Sequence, residues 1–335
     1  MNTPAPSPKA PIISIIIPIY NCEPYLDNLV STLQQQTLNN WVAICVNDGS
    51  RDKSLDILQK WAKKEPRLKI VNKPNGGAAS ARNKGLEIAQ TEYITFLDAD
   101  DDIPTDALKR LVEAAESTQC DMVVASHTTY TDDGQAVTTQ AKACGYMTAI
   151  PRFFFRSIHR GPVAKLYRKS IIDKYKLRMP EDMPLAEDYV FVVSYWTRCR
   201  TVYSILDSLY NYRYGDNQNS LIHRFCRKEL PFEVYRLNAE APWRVFCFLK
   251  SAEKDRAVIS AWTYELFRDL WKMAINSCRY LDSEDEKQLV MKEVCQRDKA
   301  MRPFIPLLKY YCMHHRYPTL LPYVEKLKKM LRKSS

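Results

Sequence analysis

The chain has 335 residues, of which 46% are hydrophobic, and a formal charge of +10. That is enough for one large or two ordinary domains with real cores. Its ten cysteines include no Cys-x-x-Cys pair and no Cys/His cluster of zinc spacing, so a zinc module is excluded and buried, reduced thiols in a cytosolic protein are expected.

Met1 to Pro11 lacks the charged and apolar segments of a signal peptide and reads as a disordered tail. No apolar run reaches the roughly eighteen residues that a transmembrane helix needs. Ile12 to Ile19 is a near-continuous β-branched run suited to a central parallel strand, with Pro18 at its exit. Leu26, Leu29, Val30 and Leu33 then fall on one face of a helix. Trp41 to Val46 is the second strand and ends in Asn47-Asp48-Gly49-Ser50, where Ser50 is expected to cap a helix bearing Leu55, Leu58 and Ala62. Leu68 to Val71 is a short third strand. Gly76-Gly77 makes a permissive loop, and the small residues after it open a helix that can pack close to a sheet.

Tyr93 to Leu97 is the fourth strand, and it ends abruptly in Asp98, Asp100, Asp101 and Asp102. Carboxylates so close repel one another unless something positive joins them. A hard divalent cation, Mg²⁺ or Mn²⁺, shared with substrate phosphates is the simplest partner. The alternative is a solvated acidic turn opening a helix, with Pro104 in its first turn. A helix from about Thr105 to Ser117 and a strand from Met122 to Ser126 follow. This alternation of strand and helix predicts a doubly wound α/β sheet whose ligands sit at the strands' carboxyl ends. Those ends carry Pro18-Ile19-Tyr20, Asp48-Gly49-Ser50 and Asp98-Ala99-Asp100.

Beyond Ser126 the alternation stops. His127 to Tyr130 with Asp132-Asp133-Gly134 reads as a hairpin edge. Lys165 to Tyr167 reads as a strand before a helix at Lys169 to Tyr175, and Glu187-Asp188 opens an expected amphipathic helix with Tyr189, Phe191, Val192 and Tyr195. Leu206 to Tyr214 is β-like, and from about Arg227 the chain reads as several helices.

Taken together, Ile15-Ile16-Ile17-Pro18-Ile19-Tyr20-Asn21, Asn47-Asp48-Gly49-Ser50, Asn75-Gly76-Gly77 with Ser80-Ala81-Arg82-Asn83-Lys84-Gly85, Phe96-Leu97-Asp98-Ala99-Asp100-Asp101, Lys165-Leu166-Tyr167 and Leu185-Ala186-Glu187-Asp188-Tyr189-Val190-Phe191 closely resemble family 2 glycosyltransferases. Their order and spacing carry the resemblance, over roughly residues 12–225. It implies a GT-A fold with a C-terminal helical extension, a nucleotide-sugar donor of the UDP-hexose kind, Mn²⁺ or Mg²⁺, and inversion by direct attack of an acceptor hydroxyl. On the matching positions it implies that Pro18 and Tyr20 line the nucleotide pocket, Asp48 accepts from the base, Arg82 lies near the nucleotide, and Asp98 contacts ribose or metal-bound water. Asp100 is then a metal ligand, and Asp188 the general base, with Glu187 beside it. His223 lies near where some GT-A enzymes place a metal-binding His, an ordinary surface His being the alternative. The expected acceptor is a glycan or glycolipid of surface polysaccharide or lipopolysaccharide, with no nucleic-acid partner.

The expected organisation is a tail at 1–11, a catalytic domain at 12–225 (nucleotide half 12–126, acceptor half 127–225) and a basic helical region at 226–335. A nicotinamide oxidoreductase would want Gly-x-Gly-x-x-Gly after the first strand, where Pro18-Ile19-Tyr20-Asn21 stands. A nucleotidyltransferase would want a Gly-rich basic loop there. An inactive glycan- or nucleotide-binding module would not need Asp98, Asp100 and Asp188 intact. No Gln-x-x-Arg-Trp sequence of the processive synthases is present. Residues 225–335 hold 22 Lys and Arg against 14 Asp and Glu, and Tyr323 to Lys333 reads as a basic amphipathic helix able to lie on an anionic inner-membrane surface.

Overall fold

The computed structural model describes residues 10–131, 135–139, 145–148, 160–213, 221–253 and 255–305. The tail at 1–9, the turn at 132–134 and the basic helix expected at 323–333 lie outside them. Contacts divide the chain into an α/β unit, residues 1–184 with 198–218, and a helical unit, residues 185–197 with 219–335.

In the α/β unit, β1 (Ile13–Ile19) lies parallel between β2 (Trp41–Asp48) and β4 (Tyr93–Phe96), and β3 (Leu68–Lys73) pairs parallel with β2. Ile13, Ile15, Ile16, Ile17 and Ile19 are fully buried, as a strand covered on both faces requires. The order β3-β2-β1-β4 reverses between β1 and β4, so a crevice opens at the carboxyl ends of those two strands. The mixed part of the sheet is formed by β5 (Met122–Tyr130), β6 (Ala136–Thr139), β7 (Gly145–Thr148), β8 (Lys165–Arg168) and β9 (Thr201–Arg213). β8 runs antiparallel between β4 and β5, β9 pairs parallel with β5, and β6 and β7 pair antiparallel with β5 and β9. Among the described residues this makes one sheet of nine strands. β5 runs past Ser126 to Tyr130, and its pairing with β6 is the hairpin expected there.

The helices are α1 (Leu26–Gln34), α2 (Ser54–Ala62), α3 (Gly77–Ile88), α4 (Ala107–Thr118) and α5 (Lys169–Lys174). Leu26, Leu29, Val30 and Leu33 are the buried face of α1. α3 lies so close to the sheet that a Cβ added at Gly85 would collide with Ile16 Cγ2. Ser50 caps no helix: α2 starts four residues later, and the Ser50 hydroxyl accepts from Asn21 N at 3.1 Å.

The helical unit contains α6 (Glu187–Trp196), α7 (Leu221–Cys226), α8 (Phe232–Ala252), α9 (Arg256–Arg279) and α10 (Glu284–Met301). The amphipathic pattern expected for α6 is not found. Glu187 and Tyr189 to Trp196 are all buried, and α6 packs against α8. Arg236 reaches Glu293 at 3.0 Å and Arg297 reaches Glu240 at 2.7 Å, joining α8 to α10. Among the described residues no helix is long and apolar enough to cross a membrane.

Candidate active site

The loops after β1 and β2 are laced together. Asn21 N donates to Ser50 Oγ, Arg51 N to Asn21 Oδ1 at 2.8 Å, Cys22 N to Ser54 Oγ at 2.9 Å and Glu23 N to Asp52 Oδ2 at 3.0 Å. Asn21 takes a positive φ of 52°, a conformation that Asn tolerates better than most residues. This lacing presents Tyr20 45% exposed at the crevice, with Pro18 half-buried behind it. An exposed aromatic ring at a strand's carboxyl end can stack on a nucleobase.

Asp48 ends β2 and is 2% exposed. Its carboxylate accepts from Lys73 Nζ at 2.6 Å, Gly76 N at 3.0 Å and Gly77 N at 2.7 Å, and its backbone oxygen accepts from Asn75 Nδ2 at 2.9 Å. Gly76 is the N-cap and Gly77 the first residue of α3. Asp48 therefore supplies the acceptor that the exposed N–H groups of a helix start need. Gly77 has φ +85° and Gly76 sits tight against Ser80, so the loop fits glycine at both places.

Arg82, on the next turn of α3, is buried and ion-paired with Asp98 at 2.8 Å. It is not the solvated helix residue that a lone arginine suggests. Asp98 and Asp100 are partly exposed, whereas Asp101 is 2% exposed. Burial, then the charges of Asp98 and Asp100, push the Asp101 carboxyl up to about 8. Asp101 accepts from the Tyr210 hydroxyl and from Arg213 N at 2.8 Å. Burial, then the charges of Asp101 and Asp98, raise the Tyr210 phenol well above its ordinary range, so it remains a donor. Asp102 accepts from Asn211 Nδ2 at 2.6 Å and Arg213 Nη2 at 2.7 Å.

The acidic run thus divides. Asp98 and Asp100 sit toward solvent, with Asp98 paired to Arg82, while the Asp101 and Asp102 carboxylates are tied to β9. Hard divalent cations take oxygen donors and share them with phosphates. The two outward carboxylates and their excess of negative charge fit Mn²⁺ or Mg²⁺ held together with a diphosphate. Among the described residues no group of three or more His, Cys, Asp or Glu is arranged to hold a metal alone.

In the α/β unit the structure brings together Tyr20, Asp48, Arg82, Asp98 and Asp100 at neighbouring strand ends. Glu187 and Asp188 belong to the helical unit, in the first turn of α6 after Ala186 at φ 65°. Negative charge is favourable there, and Tyr189 beside them donates to the buried Asp269 at 3.0 Å. His223 is half-buried on α7 of the same unit. Lys73, Tyr210 and Asn83 escaped the sequence reading. Asn83 holds the loop at 179–181 through Met179 O at 2.8 Å and Glu181 Oε1 at 3.0 Å, at the edge of a cleft of about 630 Å³ that Lys73 also lines. Asn83 lies inside a recognisable motif and Lys73 stands just before one, each without a role read for it, but Tyr210 lies over a hundred residues from Asp98 and carries no local pattern.

The family described as Glycosyl transferase family 2 matches residues 14–176. Two Bacillus subtilis strain 168 proteins that are named as glycosyltransferases are similar: EpsJ, 32% identical over 63% of this chain and 63% of its own, and EpsH, 30% identical over 69% of each. The chain thus spans about two thirds of the length of these curated relatives. Among solved structures, S. aureus TarS 1-349 in complex with UDP-GlcNAc superposes with a TM-score of 0.70 over 96% of this chain and 92% of its own, at 19% identity. That likeness shows the same fold, the mixed GT-A sheet with a helical part after it. On the match of its nucleotide-side motifs and of EpsH across two thirds of both lengths, the chain belongs to glycosyl transferase family 2.

Proposed function

We propose that this chain is an inverting glycosyltransferase that moves a sugar from a nucleotide-sugar donor, a UDP-hexose, to a hydroxyl of a glycan or lipid-linked glycan in surface-polymer synthesis. The observation that carries the reading is the convergence of Tyr20, Asp48, Arg82, Asp98 and Asp100 at the carboxyl ends of β1, β2 and β4. Tyr20 and Pro18 flank the base, and Asp48 accepts from it with the carboxylate capacity left by Lys73 and the α3 backbone. Arg82 steadies Asp98 beside the ribose and diphosphate. Asp98 and Asp100, with His223 as a candidate third ligand, would hold Mn²⁺ or Mg²⁺, which supplies Lewis-acid stabilisation of the leaving diphosphate.

The transfer itself is a single displacement. The acceptor oxygen bonds to the anomeric carbon as the bond from that carbon to the diphosphate oxygen breaks, and the nucleoside diphosphate leaves. The hydroxyl proton passes to the Asp188 carboxylate, with Glu187 beside it as the other candidate base. One base and no covalent intermediate suffice, as in inverting carbohydrate chemistry. In this reading residues 12–126 bind the nucleotide and 127–225 the acceptor, and the enzyme works in the cytoplasm.

The test is a panel of nucleotide sugars, with and without Mn²⁺, reading released nucleotide and transferred sugar. Asp188→Asn should abolish transfer while nucleotide binding persists. Loss of nucleotide affinity equal to the loss of rate would overturn the assignment of the base. Peripheral docking through the basic segment at 323–333 is tested separately by co-sedimentation with anionic liposomes, which truncation after Pro322 should remove.

A further inference from the structure

The end of β9 does not continue the even ladder that begins it. Ala125 pairs with Ile205, Ser126 with Ser208 and Thr128 with Asn211, so the register slips twice in quick succession. Bulges of this kind re-aim a strand and its side chains, and they recur beside active sites. Here the extra residues put Leu206 and Asp207 at the surface, where Asp207 pairs with Arg110 of α4. They carry the next residues to the acidic loop after β4.

Three residues of this strand grip that loop at successive points. The Tyr210 hydroxyl accepts from Asp98 N at 3.3 Å and donates to the Asp101 carboxylate. The Asn211 backbone forms a two-way bridge with Asp102, at 2.9 Å and 3.3 Å, and its side chain adds the bond to Asp102 Oδ1. Arg213 adds its N–H to Asp101 and its guanidinium to Asp102. The Asp101 and Asp102 carboxylates and the Asp98 backbone N–H are thus tied to β9, the Asp98 carboxylate staying outward, and Asp100 lies between the tied positions. None of these bonds touches Asp48, Tyr20 or the loops after β1 and β2.

We propose that the bulged end of β9 is a brace that sets the position of Asp98 and Asp100 for the metal-dependent part of nucleotide binding, with Tyr210 as its positioning residue. The phenol is the one group in the brace that contacts both the loop's first residue and its buried carboxylate. It is 1% exposed, so its aromatic body stays packed when only the oxygen is removed. This inference rests on the proposed nucleotide and metal site.

The experiment is calorimetric binding of UDP to the full-length chain, with Mn²⁺ and again with chelator, for wild type and Tyr210→Phe. Supporting bonds around a metal site set its affinity by roughly ten- to a hundredfold. Tyr210→Phe should therefore weaken binding about tenfold with Mn²⁺ and leave the chelated affinity within about twofold. A general loss of structure would lower both affinities together, and that outcome overturns the proposal, as does no change in either. Should Tyr210→Phe not fold, Asn211→Ser removes one outer tie at a half-exposed position, and about threefold with Mn²⁺ alone is expected for one such bond. Equal affinities for wild type and Asn211→Ser in Mn²⁺ would then overturn it. Wild-type binding that Mn²⁺ does not strengthen would instead refute the underlying site reading, and the brace with it.

Discussion

The loops after β2 and β4 each bury a carboxylate to the same degree, Asp48 and Asp101 at 2% exposure, and treat it in opposite ways. Asp48 receives an ammonium and two backbone N–H groups. Asp101 receives one phenol and one N–H, and burial, then the charges of Asp98 and Asp100, push it up to about 8. Burial alone therefore says little about a carboxylate, because its neighbours decide whether it is a structural clasp or part of a site with negative charge to spare. The first loop is satisfied by the protein itself. The second leaves Asp98 and Asp100 partly exposed, and in the proposed function a cation arriving with the substrate completes it.

The sharpest break of that contrast is Asp100→Asn. Removing one outward carboxylate should lower transfer by roughly a hundredfold or more while the circular dichroism spectrum and melting temperature stay close to wild type. Full activity in this variant, or in excess chelator, would leave the second loop no different in kind from the first.

Asp48→Asn should act on stability as well as on the proposed nucleotide contact. It takes the charge from a buried pair and from two helix-start N–H groups, which should cost about 3 kcal/mol, read by urea denaturation. An unchanged midpoint would mean that Lys73 and the α3 start do not depend on Asp48.

Asp101→Asn should have the opposite sign, in chelated protein. The folded chain keeps a proton on Asp101 that the unfolded chain has released, so Asp101's contribution to wild-type stability falls as pH rises from about 4 to about 8 and levels off above it. The amide never ionises. The variant should match wild type near pH 4 and gain about 2 kcal/mol at pH 9, a value reduced from the full shift for relaxation of the site. A loss of stability at pH 9 would place Asp101 in the same class as Asp48.

The smallest effect is a steric one that neither carboxylate touches. Gly85→Ala would favour a helix by about 1 kcal/mol in isolation, but the new methyl meets Ile16 and overpacking should reverse the sign to a net loss of about 1–2 kcal/mol. Chemical denaturation decides it, and a stabilised variant would show that α3 can lift from β1 without cost.

Much of this protein was written into its local pattern. The isoleucine run of β1, the face of α1 and the alternation through β5 specify the sheet, because burial on both faces demands continuous apolar strands and amphipathic helices. Tyr20, Asp48, Asp98 and Asp100 were legible for the same reason, since each stands at a strand end that the periodicity places, whereas Arg82 and the roles of all five came from the resemblance to the family's motifs. Tertiary structure alone decided the rest. Nothing in the sequence near Ser50 says that it bonds Asn21 instead of capping α2, nor that α6 is buried all round, because an amphipathic pattern is silent about packing on its second face. The division of four neighbouring aspartates into two outward and two tied depended on Tyr210, Asn211 and Arg213, more than a hundred residues away. Adjacent residues differ in role when distant strands supply different partners, and a linear pattern carries no record of which strands will meet.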